Sequence, residues 1–285
     1  MILMQLSQLL AALPQYELAS NPKNDPVISK ITTDSRQVVP GTLFVAYRGV
    51  SLDSHRFIPD ALARGASAIV GETTALDPPF RQMPTADTSA ILITVPNGRE
   101  ALAFLSTTWY HFPAQQLKMV GVTGTDGKTT TTNLLYQMLQ AGGYKVSMIS
   151  TVNAVIGDQV LDTGLHTTTP DSPDVQRYLA QMVQAGADIC LLEVTSHGMA
   201  HHRVSGCEFD VAIVTNITHE HLDLHGSLAE YRAAKARLFE SLAAAKDKGI
   251  PKIAVLNCDD WSFEYLKAKL TPLGISWLGY TLAGH

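Results

Sequence analysis

Residues 118–139 have the sequence KMVGVTGTDGKTTTTNLLYQML. Lys118 to Val122 form an apolar run that predicts a buried strand, and Thr129 to Ala141 predict a helix that ends at Gly142-Gly143. The turn between them is rich in glycine, which lets backbone N–H groups close around phosphate oxygens at the positive end of the helix dipole. This order of strand, glycine-rich turn and helix predicts a phosphate-binding loop.

The residues of the turn favour a nucleotide as the source of the phosphates. Lys128 is placed to neutralise the β- and γ-phosphates, and the hydroxyl of Thr129 is placed to ligate Mg²⁺. The general spacing G-x-x-x-x-G-K-[ST] requires glycine at Val122, so that motif is missed by one position. The sequence follows G-x-x-G-T-x-G-K-T-T instead. A glycine-rich turn with a solvated lysine is the alternative, and phosphate binding is strongly favoured over it.

The sequence around this loop predicts a mainly parallel sheet. From Leu117 onward, near-continuous apolar runs alternate with helical stretches, which is typical of strands buried on both faces of a parallel sheet. The predicted strands are Lys118 to Val122, Lys145 to Ser150, Asp188 to Val194, Val211 to Ile217 and Lys252 to Leu256. The predicted helices are Thr129 to Ala141, Ser172 to Ala185 and Ser227 to Lys248.

The preceding residues predict a smaller α/β unit, with short β-rich runs such as Thr42 to Tyr47. Asp77 to Thr88 predicts a surface loop, and Trp109 to Gln116 predicts a connector. A chain of 285 residues also exceeds the size at which one hydrophobic core usually stops growing. The expected architecture is a small N-terminal α/β domain at 1–112 and a P-loop-type, mainly parallel α/β central domain at 113–285.

Composition narrows the class of partners. Hydrophobic residues make up 46% and charged residues 16% of the chain, as in packed globular proteins. The formal net charge of -5 supplies no basic stripe, so a nucleic-acid partner is not expected. Met1 to Leu13 lacks a basic leader and no apolar run approaches a membrane span, so we expect a cytoplasmic protein without membrane contact. The three cysteines form no Cys-x-x-Cys pair, and neither a disulfide framework nor a zinc knuckle is predicted.

A second group of polar residues, Glu193 to Gly198, follows a predicted strand and has the sequence EVTSHG. Ligands of open parallel sheets gather at the carboxyl ends of the strands. The Glu193 carboxylate there could hold a hard cation beside a transferring phosphoryl group. A strand-end acid paired with a nearby base is the alternative.

A third group, Thr215 to Gly226, follows the next apolar run and is rich in histidine and acidic residues, including His219 and His221. Its side chains could build a metal site. Zinc is one alternative, but no separated set of these residues has a recognised zinc spacing, so catalytic zinc is disfavoured.

The helix that follows begins with a capping box formed by Ser227 and Glu230. Lys235 falls on the apolar stripe of this helix, together with Tyr231 and Leu238. From the residues alone, the favoured interpretation is a lysine that extends its ammonium to the surface.

The motifs together resemble one family. In order, T-G-T-D-G-K-T-T, E-V-T-S-H-G, N-I-T-H-E-H-L-D, Y-R-A-A-K-A-R-L-F and N-C-D-D are similar to the central domain of Mur ligases. Thr33 to Ala46, TDSRQVVPGTLFVA, resembles the UDP-binding domain of the branch that adds the third peptide residue. The segments E-V-x-S-H-G and H-x-R-V favour that branch over the ligase that adds D-Ala-D-Ala. The resemblance covers essentially the whole chain.

The resemblance implies an ATP-dependent amide ligase that acts on UDP-N-acetylmuramoyl-L-Ala-D-Glu and an amino acid, with Mg²⁺ as cofactor. In this family ATP phosphorylates the terminal carboxylate, and the incoming amine attacks the acyl phosphate to give an amide, ADP and phosphate. Because charge develops on phosphoryl oxygens, positioning and charge neutralisation should supply most of the catalysis.

The resemblance also implies roles for single residues. Lys128 would bind the phosphates, Thr129 and Glu193 would hold one Mg²⁺, and His221 would help to hold a second. Lys235 matches the lysine that these ligases carbamylate, which turns an ammonium into an anion that supports Mg²⁺. That match reverses the interpretation of Lys235 as a surface lysine.

Binding roles follow in the same way. Nucleotide binding is implied for Gly124, Thr125, Asp126, Gly127, Lys128, Thr129, Thr130, Asn257 and Asp260. Ser35 would contact the uracil end of the substrate. The pyrophosphate and muramoyl-peptide portion would be held by Thr168, Thr169, Thr195 and Arg203.

The chain departs from the family pattern at three positions and in its expected extent. Asp126 replaces the commoner asparagine and Glu220 the commoner aspartate, which keeps both positions polar, whereas His201 stands where glutamine is usual. Family members continue into a third, C-terminal α/β domain that selects the amino acid, and the sequence is expected to lack it. One half of a split ligase, with a separate C-terminal-domain protein, or a non-catalytic binding module is therefore the alternative. A P-loop NTPase acting on another substrate is disfavoured by the D-S-R segment.

Overall fold

The protein is described here by a computed structural model, which covers residues 2–18, 24–49, 52–73, 89–163, 169–218 and 227–282. The chain forms two compact units, Met1–Trp109 and Tyr110–His285. Both are α/β, and the predicted mainly parallel sheet of the second unit is confirmed. Within the described ranges, no helix is both long and apolar enough to cross a bilayer.

The first unit is a mainly parallel sheet packed between helices, with β2 antiparallel to β7 and a separate antiparallel pair of β1 and β3. Its strands are β1 (Met4–Gln5), β2 (Glu17–Leu18), β3 (Val27–Ile28), β4 (Lys30–Thr32), β5 (Thr42–Val45), β6 (Ala68–Glu72) and β7 (Ile91–Val95). Its helices are α1 (Leu6–Leu10), α2 (Ile58–Ala63) and α3 (Gly98–Trp109). Five strands follow the order β2-β7-β6-β5-β4, and β4 to β7 are parallel. Alternate residues of β5 to β7 pack against α1 and α3 on one face and against α2 on the other.

The second unit has a larger sheet. Its strands are β8 (Lys118–Thr123), β9 (Val146–Ile149), β10 (Asn153–Ile156), β11 (Gln159–Asp162), β12 (Ile189–Glu193), β13 (Val211–Val214), β14 (Ile253–Asn257) and β15 (Ser276–Tyr280). Its helices are α4 (Lys128–Ala141), α5 (Ser172–Gln184), α6 (Ser196–Ala200), α7 (Leu228–Ala244) and α8 (Phe263–Leu270). The order is β11-β10-β9-β12-β8-β13-β14-β15, and only the pairs β9-β10 and β10-β11 are antiparallel. The faces are covered by α4 on one side and by α5, α7 and α8 on the other.

Two predicted elements extend three or four residues past the observed ends. β13 ends at Val214 instead of Ile217, because the Asn216 carbonyl and the Ile217 N–H bond to other loops rather than to a strand partner. α7 ends at Ala244 instead of Lys248, because the Lys248 ammonium turns back to bond the Asp210 carboxylate and the Leu117 carbonyl. The surface loop predicted at Asp77 to Thr88 lies outside the described residues.

At the centre of the second sheet, α7 packs closely against β8. A Cβ atom at Gly121 would lie 2.9 Å from Leu238 Cδ1 and 3.0 Å from Phe209 Cε1, so only glycine fits there without a shift. Since Lys235 lies on the same helix one turn before Leu238, this close approach also brings Lys235 to the carboxyl end of β8.

Replacing Gly121 by alanine should destabilise the second unit. The added methyl group would press on the Leu238 and Phe209 side chains, and overpacking of this kind costs about 1–3 kcal/mol of unfolding free energy. Urea denaturation of Gly121→Ala and the wild type measures the difference. An unchanged unfolding midpoint would show that the helix can move away freely and would contradict the close packing.

Candidate functional site

The carboxyl ends of three adjacent strands meet at one edge of the second sheet. β8 pairs with β12 on one side and with β13 on the other, so Thr123, Glu193 and Val214 end their strands side by side. Ligands of open parallel sheets bind at such an edge. The candidate site is built from the loops that leave these strands.

Residues 124–130, which we call the phosphate loop, comprise the turn after β8 and the first three residues of α4. Gly124 has a φ of 152° and Gly127, the N-cap of α4, has a φ of 78°, both in the region that favours glycine. A Cβ atom at Gly124 would also lie 1.8 Å from Thr215 Oγ1. The first N–H groups of a helix have no intrahelical acceptor, so the N-terminus of α4 presents donors and a partial positive charge to an anion.

The residues after β13 hold the phosphate loop in shape. We call Thr215–Thr218 the support segment. The Thr125 N–H donates to the Asn216 carbonyl at 2.8 Å, and the Asp126 N–H donates to Asn216 Oδ1 at 3.0 Å. The Thr215 hydroxyl donates to the Asp126 carbonyl at 2.6 Å. The loop is therefore tied to the neighbouring strand by both backbone and side-chain hydrogen bonds.

A buried hydroxyl lies between the phosphate loop and α7. The Thr218 N–H donates to Thr125 Oγ1 at 2.9 Å, and the Tyr231 hydroxyl lies 3.1 Å from the same atom. Thr125 is 6% exposed and Tyr231 1% exposed, so these groups have little access to water as a substitute partner. Thr125 thus joins the loop, the support segment and α7.

Two side chains supply the charge and the oxygen ligands expected of a nucleotide site. The Lys128 ammonium donates to the Thr125 carbonyl at 2.7 Å, which keeps it beside the loop. The Thr129 hydroxyl lies 3.0 Å from each carboxylate oxygen of Glu193, and the Thr151 N–H donates to Glu193 Oε2 at 3.0 Å. Glu193 is 1% exposed, and among the described residues it has no basic partner. Hydroxyl and carboxylate oxygens are ligands that Mg²⁺ prefers.

Lys235 is buried, not exposed. Its side chain is 1% exposed, its ammonium donates to the Gly124 carbonyl at 2.6 Å, and it lies 4.6 Å from the centre of the Tyr231 ring. The interpretation of Lys235 as a lysine that reaches the surface is therefore wrong. The structure places it directly behind the phosphate loop.

Asn257 and Asp260 pack against the support segment. The Asn257 amide donates to the Thr215 carbonyl at 2.8 Å, and the Asp260 carboxylate accepts the Ile217 N–H at 3.1 Å. The Tyr280 hydroxyl lies 3.0 Å from the Thr215 carbonyl. Burial raises the pKa of Tyr280 and the nearby Asp260 charge adds to this, so the hydroxyl stays protonated and donates.

The candidate substrate residues meet at the end of β12. Thr169 Oγ1 lies 3.1 Å from Thr195 Oγ1 and donates to the Glu193 carbonyl at 3.2 Å. The Arg203 guanidinium donates to the Thr169 carbonyl at 2.7 Å and forms an ion pair with Asp171 at 3.1 Å. Glu193 is therefore shared: its carboxylate meets Thr129, and its carbonyl meets Thr169.

Other predicted residues lie elsewhere. Ser35 belongs to the first unit, where it lines a cavity of about 590 Å³ together with Tyr47, Phe57 and Arg99. Nearby, a hydrogen bond from Arg36 lowers the pKa of Asp34 to about 2. His221 and Thr168 lie outside the described residues.

Sequence interpretation missed the residues that hold the phosphate loop. Thr215 and Asn216 fall in the segment that predicts a possible metal site, and Tyr231 falls on the predicted apolar stripe of a helix. The position of Thr215 and Asn216, directly after a predicted parallel strand, was the available signal. Segments that follow adjacent parallel strands lie side by side, and β13 is adjacent to β8.

A mainly parallel sheet with a glycine-rich loop leading from its central strand into α4 defines a P-loop-type α/β domain. Family profiles agree with this class: the Mur ligase middle domain matches residues 122–285, and the profile described as Mur ligase family, catalytic domain, matches residues 27–110. The chain belongs to the Mur ligase family.

Relatives give the same assignment. The chain is 44% identical to a UDP-N-acetylmuramyl-tripeptide synthetase of Roseiflexus sp. (strain RS-1), over 94% of this chain and 52% of that protein. It is 40% identical to a UDP-N-acetylmuramoyl-L-alanyl-D-glutamate–2,6-diaminopimelate ligase of Geobacillus thermodenitrificans, over 93% of this chain and 51% of that protein. A solved structure of a ligase with the latter name superposes with a TM-score of 0.76 at 26% identity, over 99% of this chain and 53% of that one. The chain thus spans about half the length of these relatives.

The buried Thr125 hydroxyl should stabilise the second unit. Thr125→Val keeps the shape but leaves the Thr218 N–H without its acceptor, which should lower the unfolding free energy by about 1–3 kcal/mol. Thr125→Ser retains the hydroxyl and is the matched control. Urea denaturation of both variants tests this, and equal losses in the two would contradict the role of the hydroxyl, which only Thr125→Val removes.

Proposed function

We propose that this chain acts as an ATP-dependent amide ligase of peptidoglycan precursor synthesis, which adds the third amino acid to UDP-N-acetylmuramoyl-L-Ala-D-Glu. The observation that carries the proposal is Glu193, which joins the two halves of the site. Thr129 of the phosphate loop bonds its carboxylate, and Thr169 of the substrate group bonds its carbonyl. A residue in this position brings a nucleotide and a carboxylate substrate to the same strand end.

The phosphate loop supports the nucleotide part of the proposal. The α4 N-terminus would bind phosphate oxygens through its N–H groups. Lys128 would leave the Thr125 carbonyl and neutralise the γ-phosphoryl group as it passes to the substrate carboxylate. Gly124 and Gly127 would let the backbone approach the phosphates closely, and Thr130, in the first turn of α4, would lie beside them.

The donor set fits Mg²⁺. Thr129 and Glu193 are hard oxygen ligands held 3.0 Å apart, and they would hold the ion beside the loop, with His221 holding a second one. When bound, Mg²⁺ would neutralise charge on the phosphoryl oxygens. The buried Glu193 carboxylate is already hydrogen-bonded in place, so little reorganisation is needed to receive a cation.

Lys235 would serve in carbamylated form. Its burial beside the Gly124 carbonyl places its terminal group next to the phosphate loop. A carbamate there carries a negative charge that would orient the metal ligands. The Tyr231 and Thr125 hydroxyls, which lie on the same side of the loop, are donors within reach of this region.

The substrate would be bound at its two ends. The cavity lined by Ser35 would take the uracil end, and Thr169, Thr195 and Arg203 would hold the pyrophosphate and muramoyl-peptide portion, together with Thr168. The cationic Arg203 suits an anionic ligand, because its partner Asp171 is 65% exposed and can be screened or displaced. Asn257 and Asp260 would border the nucleotide. The reaction would take place in the cytoplasm, where ATP is available.

Phosphate release is the direct test. The wild type should release phosphate from ATP only when UDP-N-acetylmuramoyl-L-Ala-D-Glu, Mg²⁺ and a suitable amino acid are all present. Lys128→Ala should lose nucleotide binding with the fold intact, and it is the matched control.

Two outcomes would contradict the proposal. Intact binding of the UDP-substrate with no turnover would identify the chain as a binding module or as one half of a split ligase that needs a separate C-terminal-domain protein. ATP hydrolysis that is indifferent to the UDP-substrate would identify an NTPase of another kind.

The carbamate at Lys235 predicts chemical rescue. Lys235→Ala should lose activity, because no anion remains behind the loop, and added short carboxylates such as acetate should restore part of it. The rate of phosphate release with and without acetate measures this. Full activity of the unsupplemented variant would exclude a role for Lys235.

A further inference from the structure

We infer that Thr215 is a positioning residue that aims the phosphate loop at its ligand. The inference rests on the proposed function in one respect, because it takes the phosphate loop as a nucleotide site. Thr215 is not among the residues proposed to contact the nucleotide. Thr215 acts through the hydrogen bond that its hydroxyl donates to the backbone of the loop.

The first step is the orientation of one peptide group. The Thr215 hydroxyl lies 2.6 Å from the Asp126 carbonyl and 3.3 Å from the Thr123 carbonyl. In a trans peptide, the carbonyl of one residue and the N–H of the next point in opposite directions. Holding the Asp126 carbonyl toward Thr215 therefore turns the Gly127 N–H away from the support segment, toward the side where an anion would bind.

The preceding peptide group, between Thr125 and Asp126, is held in the opposite orientation, with its N–H toward the support segment. The Asp126 N–H donates to Asn216 Oδ1, so the Thr125 carbonyl points away from the support segment, and there it accepts the Lys128 ammonium at 2.7 Å. Two consecutive residues of the support segment thus set both peptide groups around Asp126. Thr215 makes the shorter bond to the group that supplies a phosphate donor, and the Asn216 amide adds a longer one to the same Asp126 carbonyl, at 3.3 Å.

The second step is the fit between Thr215 and Gly124. The Thr215 hydroxyl occupies the space that a Cβ atom at position 124 would need, at 1.8 Å. The loop therefore lies directly on the Thr215 side chain, with no room for a larger residue at Gly124. This contact restricts the loop from the side of the support segment.

The third step is that Thr215 is itself held firmly. Its carbonyl accepts the Asn257 amide at 2.8 Å and the Tyr280 hydroxyl at 3.0 Å, and its N–H donates to the Thr123 carbonyl at 3.0 Å. A donor fixed by three neighbours pre-organises the group that it bonds, which lowers the entropic cost of binding a ligand. Asn257 thereby acts on the phosphate loop through Thr215.

Two variants separate this role from simple packing. Thr215→Val keeps the shape of the side chain and removes the hydroxyl, whereas Thr215→Ser keeps the hydroxyl. Loss of the shorter of the two hydrogen bonds to the Asp126 carbonyl leaves this peptide group less firmly held, which should weaken Mg·ADP binding about tenfold in Thr215→Val. Binding by Thr215→Ser should stay within about twofold of the wild type. Isothermal titration calorimetry with Mg·ADP measures both.

Thr123→Val is the matched control. The Thr123 hydroxyl is buried in the adjacent strand and has no hydrogen-bond partner in the described part of the chain. Its removal changes the same chemical group at a neighbouring position without touching the Asp126 carbonyl. Mg·ADP affinity should be unchanged in this variant.

A second measurement follows the loop without any ligand. Hydrogen exchange of the peptide that contains Gly127 should be faster in Thr215→Val than in the wild type, Thr215→Ser and Thr123→Val. Equal Mg·ADP affinity in Thr215→Val and the wild type, or an equal loss in Thr215→Val and Thr215→Ser, would overturn the inference. If the wild type bound no Mg·ADP, the proposed function would fail, and the exchange rates would decide the role of Thr215: equal rates in Thr215→Val and the wild type would overturn it.

Discussion

Parallel pairing of β8 with β12 and with β13 is the constraint on which the site depends. It places three strand ends in one row, so three loops that are far apart in the sequence become neighbours. The loop after β8 presents glycines and Lys128, the end of β12 presents Glu193, and the segment after β13 presents Thr215 and Asn216. No single loop contains a complete site, because the phosphate loop takes its shape from one neighbour and its carboxylate partner from the other.

The charged groups at this edge of the sheet include two that are almost completely buried. Glu193 and Lys235 are each 1% exposed, and a buried charge is costly unless hydrogen bonds or an opposite charge compensate it. The Glu193 carboxylate is compensated in part by a hydroxyl and an amide, which leaves it able to accept a cation. The Lys235 ammonium bonds the Gly124 carbonyl. Both groups are costly to bury, and both lie at the phosphate loop, where each has a proposed function.

Much of this site could be predicted from the sequence. The glycines and Lys128 form a motif within one short segment, and the buried parallel strands have near-continuous apolar runs. Both β8 and the turn that follows it therefore lie where the sequence predicts them. The burial of Lys235 could not be derived from helical periodicity alone, because a stripe position suits both a buried lysine and one that reaches the surface. The roles of Thr215 and Tyr231 depend on contacts across the sheet, 89 and 106 residues away from their partners in the loop. Pattern within a segment contains no information on such pairs.

The most direct test of the central claim is a crystal structure of the protein with Mg·ADP. The account predicts the β-phosphate at the N-terminus of α4, within hydrogen-bond distance of the Gly127 N–H. Lys128 should then have moved from the Thr125 carbonyl to the phosphate, while Thr215 still bonds the Asp126 carbonyl. Phosphates bound away from the α4 N-terminus, or a Gly127 N–H that points toward the support segment, would contradict the account.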